Sequence, residues 1–403
     1  MIDRSNVKAV QTRYQDMLFK SVVPFWLNHA QDTQYGGIST CLDRAGNIYS
    51  PDKSVWMQGR TAWTFSRLCN QYGVQDEWLN MAKSCIDFLD QHCIDPADGR
   101  MYFTVTQDGR PLRKRRYFFS EAFYTIGHAE YALAAGDQQA LEQARYYYTF
   151  ICRLYDDPSS DPFKIWPKTL PETRRMRSFS SCMIMLDVTS VMRRCDPENS
   201  ELYDRWSKRF ADDIIRYHYK PEFHCVLETV GEAGEFLSEL PEGRVINAGH
   251  AIECSWFMAD EASYRNDPVL MQQALDIYNG AMKWGWDEVY GGIKYFVDVL
   301  GHPPVQYEHD MKLWWPVSEA LIASLKHYLE TGGQRYWNDF ERLTDYMETY
   351  LADPDYGEWF GYLRRDNKPT EPPAKGGIYK GPYHVPRALM AIDQMLQTLA
   401  QKL

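Results

Sequence analysis

A cluster of Asp, Gly and aromatic residues recurs along this chain with a period of about 65 residues, long enough for two helices and a turn. Asp32–Gly37 precedes Ile38-Ser39-Thr40, and Asp95–Gly99 precedes Met101-Tyr102-Phe103. Tyr219–His224 follows. Asp287–Gly292 then precedes Ile293-Lys294-Tyr295-Phe296, and Asp353–Gly357 precedes Trp359-Phe360-Gly361-Tyr362. A weaker copy lies at Asp156–Phe163. Six such units fill the 403 residues.

Between the clusters, apolar residues fall at helical spacing. The pattern predicts helices over Trp78–Leu89, Ala122–Ala135, Ser178–Met192, Leu202–Tyr217, Ile252–Ala262, Met271–Trp284, Val317–Thr331, Tyr336–Leu351 and Val385–Leu399. Several end at glycine, as at Gly73, Gly136 and Gly332, which suits a left-handed C-terminal cap. The strands are too short and too far apart for a main sheet. Six helical hairpins closed into a ring give an all-α (α/α)6 barrel. Residues 1–403 then form a single catalytic domain with the short strands in the loops at one end. An open solenoid is the alternative. Solenoids end in polar caps, whereas the last unit here is as aromatic as the rest.

Composition narrows the function. A formal charge of −11 argues against a general nucleic-acid binder, which needs surplus Lys and Arg to neutralise phosphates. Apolar runs such as Ser180–Leu186 are too short to span a bilayer, and Met1-Ile2-Asp3-Arg4 lacks the pattern of a secretion signal. Nine scattered cysteines without C-x-x-C spacing point to reduced, structural thiols in a cytoplasmic setting and offer no zinc site. Aromatic residues are 15% of the chain, with 13 Trp and 28 Tyr, enough for a large aromatic core or for pocket walls that stack on sugar rings.

Two of the ten histidines stand apart. His250 in Ala248-Gly249-His250-Ala251-Ile252-Glu253 and His384 in Tyr383-His384-Val385-Pro386-Arg387 each sit where a loop enters a helix. Such a position lowers an imidazole's pKa and favours the neutral base. Charged residues expected near the same mouth are Arg60, Glu121, Glu253, Glu308, Asp310 and Lys312, beside Trp314 and Trp315. An ion network under an aromatic lid is the competing reading of Glu308–Trp315. The runs Arg113–Arg116 and Arg174–Arg177 read as solvated loops or anion contacts. Gly376-Gly377 with Gly381 lacks the remainder of a phosphate-binding loop. His302, Glu308, His309 and Asp310 do not have metal-site spacing.

Segments spread along the chain carry a resemblance. They include Val23-Pro24-Phe25-Trp26, Trp56-Met57-Gln58-Gly59-Arg60, Phe119-Ser120-Glu121-Ala122-Phe123, Arg244–Glu253, Trp286–Gly292, Lys312–Trp315, Asp355–Gly361 and Tyr383–Ala388. In this order they resemble the N-acylglucosamine 2-epimerase family. The resemblance implies an (α/α)6 barrel and a cytoplasmic, often dimeric isomerase acting at C2 of a reducing sugar. It implies His250 and His384 as the proton-transfer pair, Arg60 as the substrate-orienting arginine and Glu253 as a carboxylate near the first histidine. Trp56, Glu121, Asp187, Asn247, Glu253, Glu308, Lys312, Trp314 and Trp315 are expected to line the substrate site. No cofactor or metal is required, and ATP is implied as an activator rather than a reactant. Animal members have been called renin-binding proteins.

Sibling branches are similar to one another in a third histidine on the helix that here covers Phe179–Met192. This chain has none there, which favours interconversion of N-acetylglucosamine and N-acetylmannosamine. Asp187 stands where that branch leads one to expect asparagine. Loss of the C2 proton of the open-chain sugar gives an enediolate. Two groups on opposite faces would exchange the proton, Arg60 would meet O1, and Glu253 would orient an imidazole. The alternatives are a related aldose–ketose isomerase, a mannose or disaccharide 2-epimerase, an inverting glycoside hydrolase using Glu121 and Glu308, and a binding module without turnover.

Overall fold

The structure, a computed structural model, describes residues 4–114, 118–161, 170 and 172–403. Its helices are α1 (Arg4–Met17), α2 (Val23–His29), α3 (Val55–Tyr72), α4 (Asp76–His92), α5 (Phe119–Ala135), α6 (Gln138–Asp156) and α7 (Phe179–Cys195). They continue with α8 (Ser200–Asp213), α9 (Ala248–Arg265), α10 (Pro268–Gly285), α11 (Trp314–Thr331), α12 (Gln334–Tyr346) and α13 (His384–Lys402).

α3, α5, α7, α9, α11 and α13 pack side by side in that order, and α13 returns against α3, so the ring is closed and no open solenoid forms. α4, α6, α8, α10 and α12 each fold back on the inner helix before them. The sixth outer place is taken by α1 against α13. The last hairpin is therefore assembled from both ends of the chain rather than from consecutive helices. Burial follows this arrangement. α5 is buried continuously from Ser120 to Ala132, whereas α12 buries only one stripe, as expected for helices enclosed on all sides and on one side.

The Asp-Gly clusters are one structural device used repeatedly. The N–H of Gly36, Gly99, Gly291 and Gly357 donates to the carbonyl of Asp32, Asp95, Asp287 and Asp353, respectively, at 2.8–3.0 Å. These glycines have φ of 71–81°, a conformation that costs glycine little. A buried lysine closes three of the turns. Lys53 reaches Asp32 and the Gly36 carbonyl at 2.9 and 2.6 Å, Lys312 reaches Asp287 and Gly291 at 3.1 and 2.8 Å, and Lys375 reaches Asp353 and Gly357 at 2.9 and 2.6 Å. Lys114 serves the Asp95 turn from 2.6 Å. The weak copy at Asp156–Phe163 and the basic run at Arg113–Arg116 extend outside the described residues.

Short antiparallel strands lead into inner helices. Lys53–Ser54 enters α3, Met176–Ser178 enters α7, Val245–Asn247 enters α9 and Lys312–Leu313 enters α11. This gathers the ribbons and turns at the N-terminal ends of the inner helices. All nine cysteines are unpaired and buried. Among the described residues, no helix is long and apolar enough to cross a membrane.

Candidate active site

Two glycines bring the inner helices into close contact beside the site. A Cβ on Gly59 would lie 2.5 Å from the Phe123 carbonyl oxygen, so α3 and α5 can approach only because it has none. The next residue, Arg60, then lies with its guanidinium 4.0 Å from the Phe123 ring centre and 4.7 Å from that of Tyr383. A Cβ on Gly249 would lie 2.5 Å from the Trp315 ring. That absence seats His250 against Trp315, with ring centres 5.1 Å apart. On its other side, Trp315 lies 5.8 Å from His384. One indole thus contacts both imidazoles, which come from α9 and α13.

Each imidazole is held at Nδ1 by a carboxylate, at 2.8 Å from Glu228 Oε1 for His250 and 2.7 Å from Glu319 Oε1 for His384. In the neutral ring, an Nδ1–H given to a carboxylate leaves the Nε2 lone pair free to act as a base. The two rings are driven apart electrostatically. Burial opposes charge on His250, but the Glu228 carboxylate outweighs it and raises the pKa above the usual histidine value. Burial, with Arg60 and Arg387 adding to it, holds His384 well below that value. The lowered pKa expected at both helix starts is found at His384, where burial and two guanidinium groups cause it, and is corrected at His250, where the Glu228 carboxylate outweighs burial.

Arg387 lies between the carboxylates. Its Nη2 donates to Glu253 and, at 2.7 Å, to Glu319, while Nη1 donates to the Tyr383 hydroxyl at 3.2 Å and lies 3.6 Å from Asp187. Glu253, Glu319 and His384 are the one group among the described residues close enough to share a metal ion. The guanidinium already bridges its two carboxylates. Burial raises Asp187 to about 7, with Arg387 pulling the other way. Burial also lowers Arg60, to about 10.

Buried donors without a hydrogen-bond partner among the described residues gather on these elements: Arg60 Nε, Arg387 Nε and the indole N–H groups of Trp56, Trp63 and Trp314. Leaving such donors unpaired is costly.

Several sequence expectations are corrected. Glu121 is fully buried away from the histidines and accepts from Arg100 Nε at 2.6 Å and Met101 N at 2.9 Å. It occupies the place in its repeat that Gln58 occupies against Ile38 N. Lys312 is consumed by its Asp-Gly turn. Asn247 caps α9 by accepting the His250 N–H at 3.1 Å. Glu253 binds Arg387 rather than orienting an imidazole; that role falls to Glu228 and Glu319. Glu308 is exposed on the loop after Asp298, where its charge acts on Tyr295. With Glu121 buried in an ion pair and Glu308 exposed, the two do not form a hydrolase pair. Trp314 is buried behind the site, 6.4 Å from His384. Trp56 packs among Phe103, Phe119, Phe123 and Tyr379.

Glu228, Glu319 and Arg387 were not picked out from the sequence. Glu319 follows Trp315 by one helical turn and Arg387 follows His384 by three residues, so helix spacing offered a signal for both. Glu228, on a connector, offered none. The Gly376-Gly377 run does not form a phosphate cradle, because its N–H groups are spent on Leu42 O and Lys380 O.

The sequence profile of the family described as N-acylglucosamine 2-epimerase (GlcNAc 2-epimerase) matches residues 36–388. The chain is 37% identical to N-acylglucosamine 2-epimerase from Bos taurus over 95% of this chain and 90% of the relative. It is 33% identical to the protein of that name from Homo sapiens over 99% and 93%. Among solved structures, cellobiose 2-epimerase from Bacillus thermoamylovorans superposes with a TM-score of 0.83 over 96% of this chain and 99% of that one, at 20% identity. A D-mannose isomerase superposes with 0.80 over 94% and 97%, at 16% identity. The structural likenesses establish the (α/α)6 barrel fold, and the sequence matches establish that this chain belongs to the N-acylglucosamine 2-epimerase family.

Proposed function

We propose that the chain is a sugar 2-epimerase that interconverts N-acetyl-D-glucosamine and N-acetyl-D-mannosamine. The observation that carries this reading is the histidine pair. Two imidazoles from separate helices flank Trp315, each held at Nδ1 by a carboxylate, and their pKa values are displaced in opposite directions. Groups whose surroundings separate their pKa values in this way divide into an acid and a base.

In the open-chain sugar, the C2–H bond lies α to the C1 carbonyl. One Nε2 takes the C2 proton, the electron pair moves onto O1, and the other Nε2 returns a proton to the opposite face. Arg60 carries the charge that develops on O1, because its guanidinium is buried, fixed between two rings and unpaired at Nε. Asp187 and Trp315, beside the two histidines and Arg387, hold the sugar. Arg387 and Glu319 fix His384, and Asn247 fixes the start of the helix bearing His250. No step calls for a metal or hydride carrier.

The protein is read further as one catalytic domain and a cytoplasmic homodimer, a setting with which nine unpaired cysteines accord. Proton NMR of N-acetylglucosamine and of N-acetylmannosamine in D2O with the purified protein tests the reaction. The reading expects each sugar to yield the other with deuterium at C2. Release of a ketose would transfer the chain to the aldose–ketose isomerases.

A further inference from the structure

The two histidine-holding carboxylates differ in how their charge is met. Glu319 receives three donors: His384 Nδ1, Arg387 Nη2 at 2.7 Å and Trp256 Nε1 at 2.9 Å. Arg387, which it shares with Glu253, meets part of its charge whether or not His384 is protonated. Glu228 has one side-chain partner among the described residues, His250, and no Lys or Arg pairs with it. The Glu228 pair is electrically complete only when His250 is the imidazolium. Glu228 is also held in place. Its N–H donates to Val245 O at 3.1 Å and its carbonyl accepts from Phe179 N at 2.9 Å, tying the start of α7 to the strand that enters α9.

We propose that Glu228 is a positioning residue that keeps His250 as the imidazolium, making His250 the proton donor and His384 the acceptor of the resting enzyme. The inference rests on the two-histidine epimerase reading. The other charged groups facing His250 are Glu253 on its own helix, Arg60 on α3 and His384 on α13. Those facing His384 are Glu319 on α11, Arg387 on α13, Arg60 on α3, and Glu253 and His250 on α9. Two guanidinium groups thus oppose a charge on His384, and one opposes it on His250.

The cycle balances. His384 Nε2 takes the C2 proton as the C–H pair moves into the enediolate. His250 Nε2–H protonates C2 from the other face as the C1 carbonyl re-forms. His384 then holds a proton that His250 has lost, and exchange with water restores the resting state. The first sugar accepted is the epimer whose C2–H faces His384.

The experiment follows the ring nitrogens of the full-length, histidine-labelled protein by NMR across pH, in the wild type and in Glu228→Gln and Glu228→Asp. In the wild type, His250 is expected to titrate above His384. Glu228→Gln should lower the His250 midpoint by more than about one unit, leave that of His384 in place, and reduce kcat on the order of 10–100-fold with KM little changed. Glu228→Asp should recover part of both effects. A wild-type His250 midpoint at or below that of His384 overturns the proposal. So does a folded Glu228→Gln variant with an unmoved His250 midpoint or undiminished kcat. A wild type that titrates as described but exchanges no C2 proton keeps the Glu228 pair and removes the epimerase reading.

Discussion

His384 donates its Nδ1–H to Glu319 Oε1 across 2.7 Å. The same carboxylate binds Arg387 and Trp256, so ring, acid and guanidinium form one rigid unit spanning α11, α13 and α9. A fixed imidazole of this kind suits proton transfer, where small displacements cost rate.

This unit bears on metal dependence. Arg387 bridges the two carboxylates that, with His384, form the only candidate metal cluster among the described residues. Treatment with EDTA followed by gel filtration is expected to leave turnover unchanged. Loss of activity that a divalent ion restores would contradict the assignment of that space to Arg387.

Arg60 is held by ring faces rather than by an ion pair. Arg60→Ala should lower kcat/KM by about 100-fold or more, as removal of a preorganised oxyanion partner does. Arg60→Lys should recover little, since an ammonium cannot stack flat between Phe123 and Tyr383. Steady-state kinetics on both sugars, with circular dichroism to verify folding, checks this.

Lys312 separates a structural role from a binding role. Lys312→Met leaves the Asp287 carboxylate with Arg365 as its remaining cation, beside the N–H groups of Val289 and Tyr290, and the Gly291 carbonyl without its lysine donor. Breaking a buried pair from one side costs about 3 kcal/mol. Denaturant melts should show that loss, while KM of the folded fraction stays at the wild-type value. A raised KM with unchanged stability would return Lys312 to the substrate site.

Asp187 gives a pH signature. Its pKa is raised to about 7 by burial, so the folded state favours the protonated acid. Between the ordinary carboxylate value and about 7, the native protein holds more protons than the unfolded chain, and stability falls as pH rises through that window. Asp187→Asn should therefore raise the melting temperature more at pH 8 than at pH 4. It should also remove a step near pH 7 from the KM profile. Equal shifts at both pH values would contradict the raised pKa.

The fold was legible because its repeat is written in residues with few other uses. Asp32, Asp95, Asp287 and Asp353, each followed by a glycine four residues on, mark the turn after an outer helix. α6 was missed because Gln138–Asp156 mixes polar and tyrosine residues, and its start is announced only by the Asp137 cap. The closing hairpin was not visible either, since α1 and α13 lie at opposite ends of the sequence. His250, His384 and Arg60, which the structure brings together, stood out in the sequence because each lies near the start of an inner helix within a distinctive local sequence. Lys312 and Glu121 misled because a buried structural charge and a ligand-binding charge use the same side chains. Glu228 stayed hidden because only the pairing of Val245–Asn247 with Phe296–Asp298, and the crossing of the Glu228 connector beside it, bring it to His250.

The most direct test of the two-histidine account is deuterium wash-in at C2, measured by proton NMR for both sugars with His250→Asn and His384→Asn. Neither folded variant should epimerise. Each should still exchange the C2 proton of one sugar only, a different sugar for each variant, because the remaining imidazole reaches one face; exchange by His384→Asn should grow with pH, since His250 must first lose its resting proton. Exchange of both sugars by one variant and of neither by the other would indicate a single base. Near wild-type epimerisation by either variant would contradict the assignment outright.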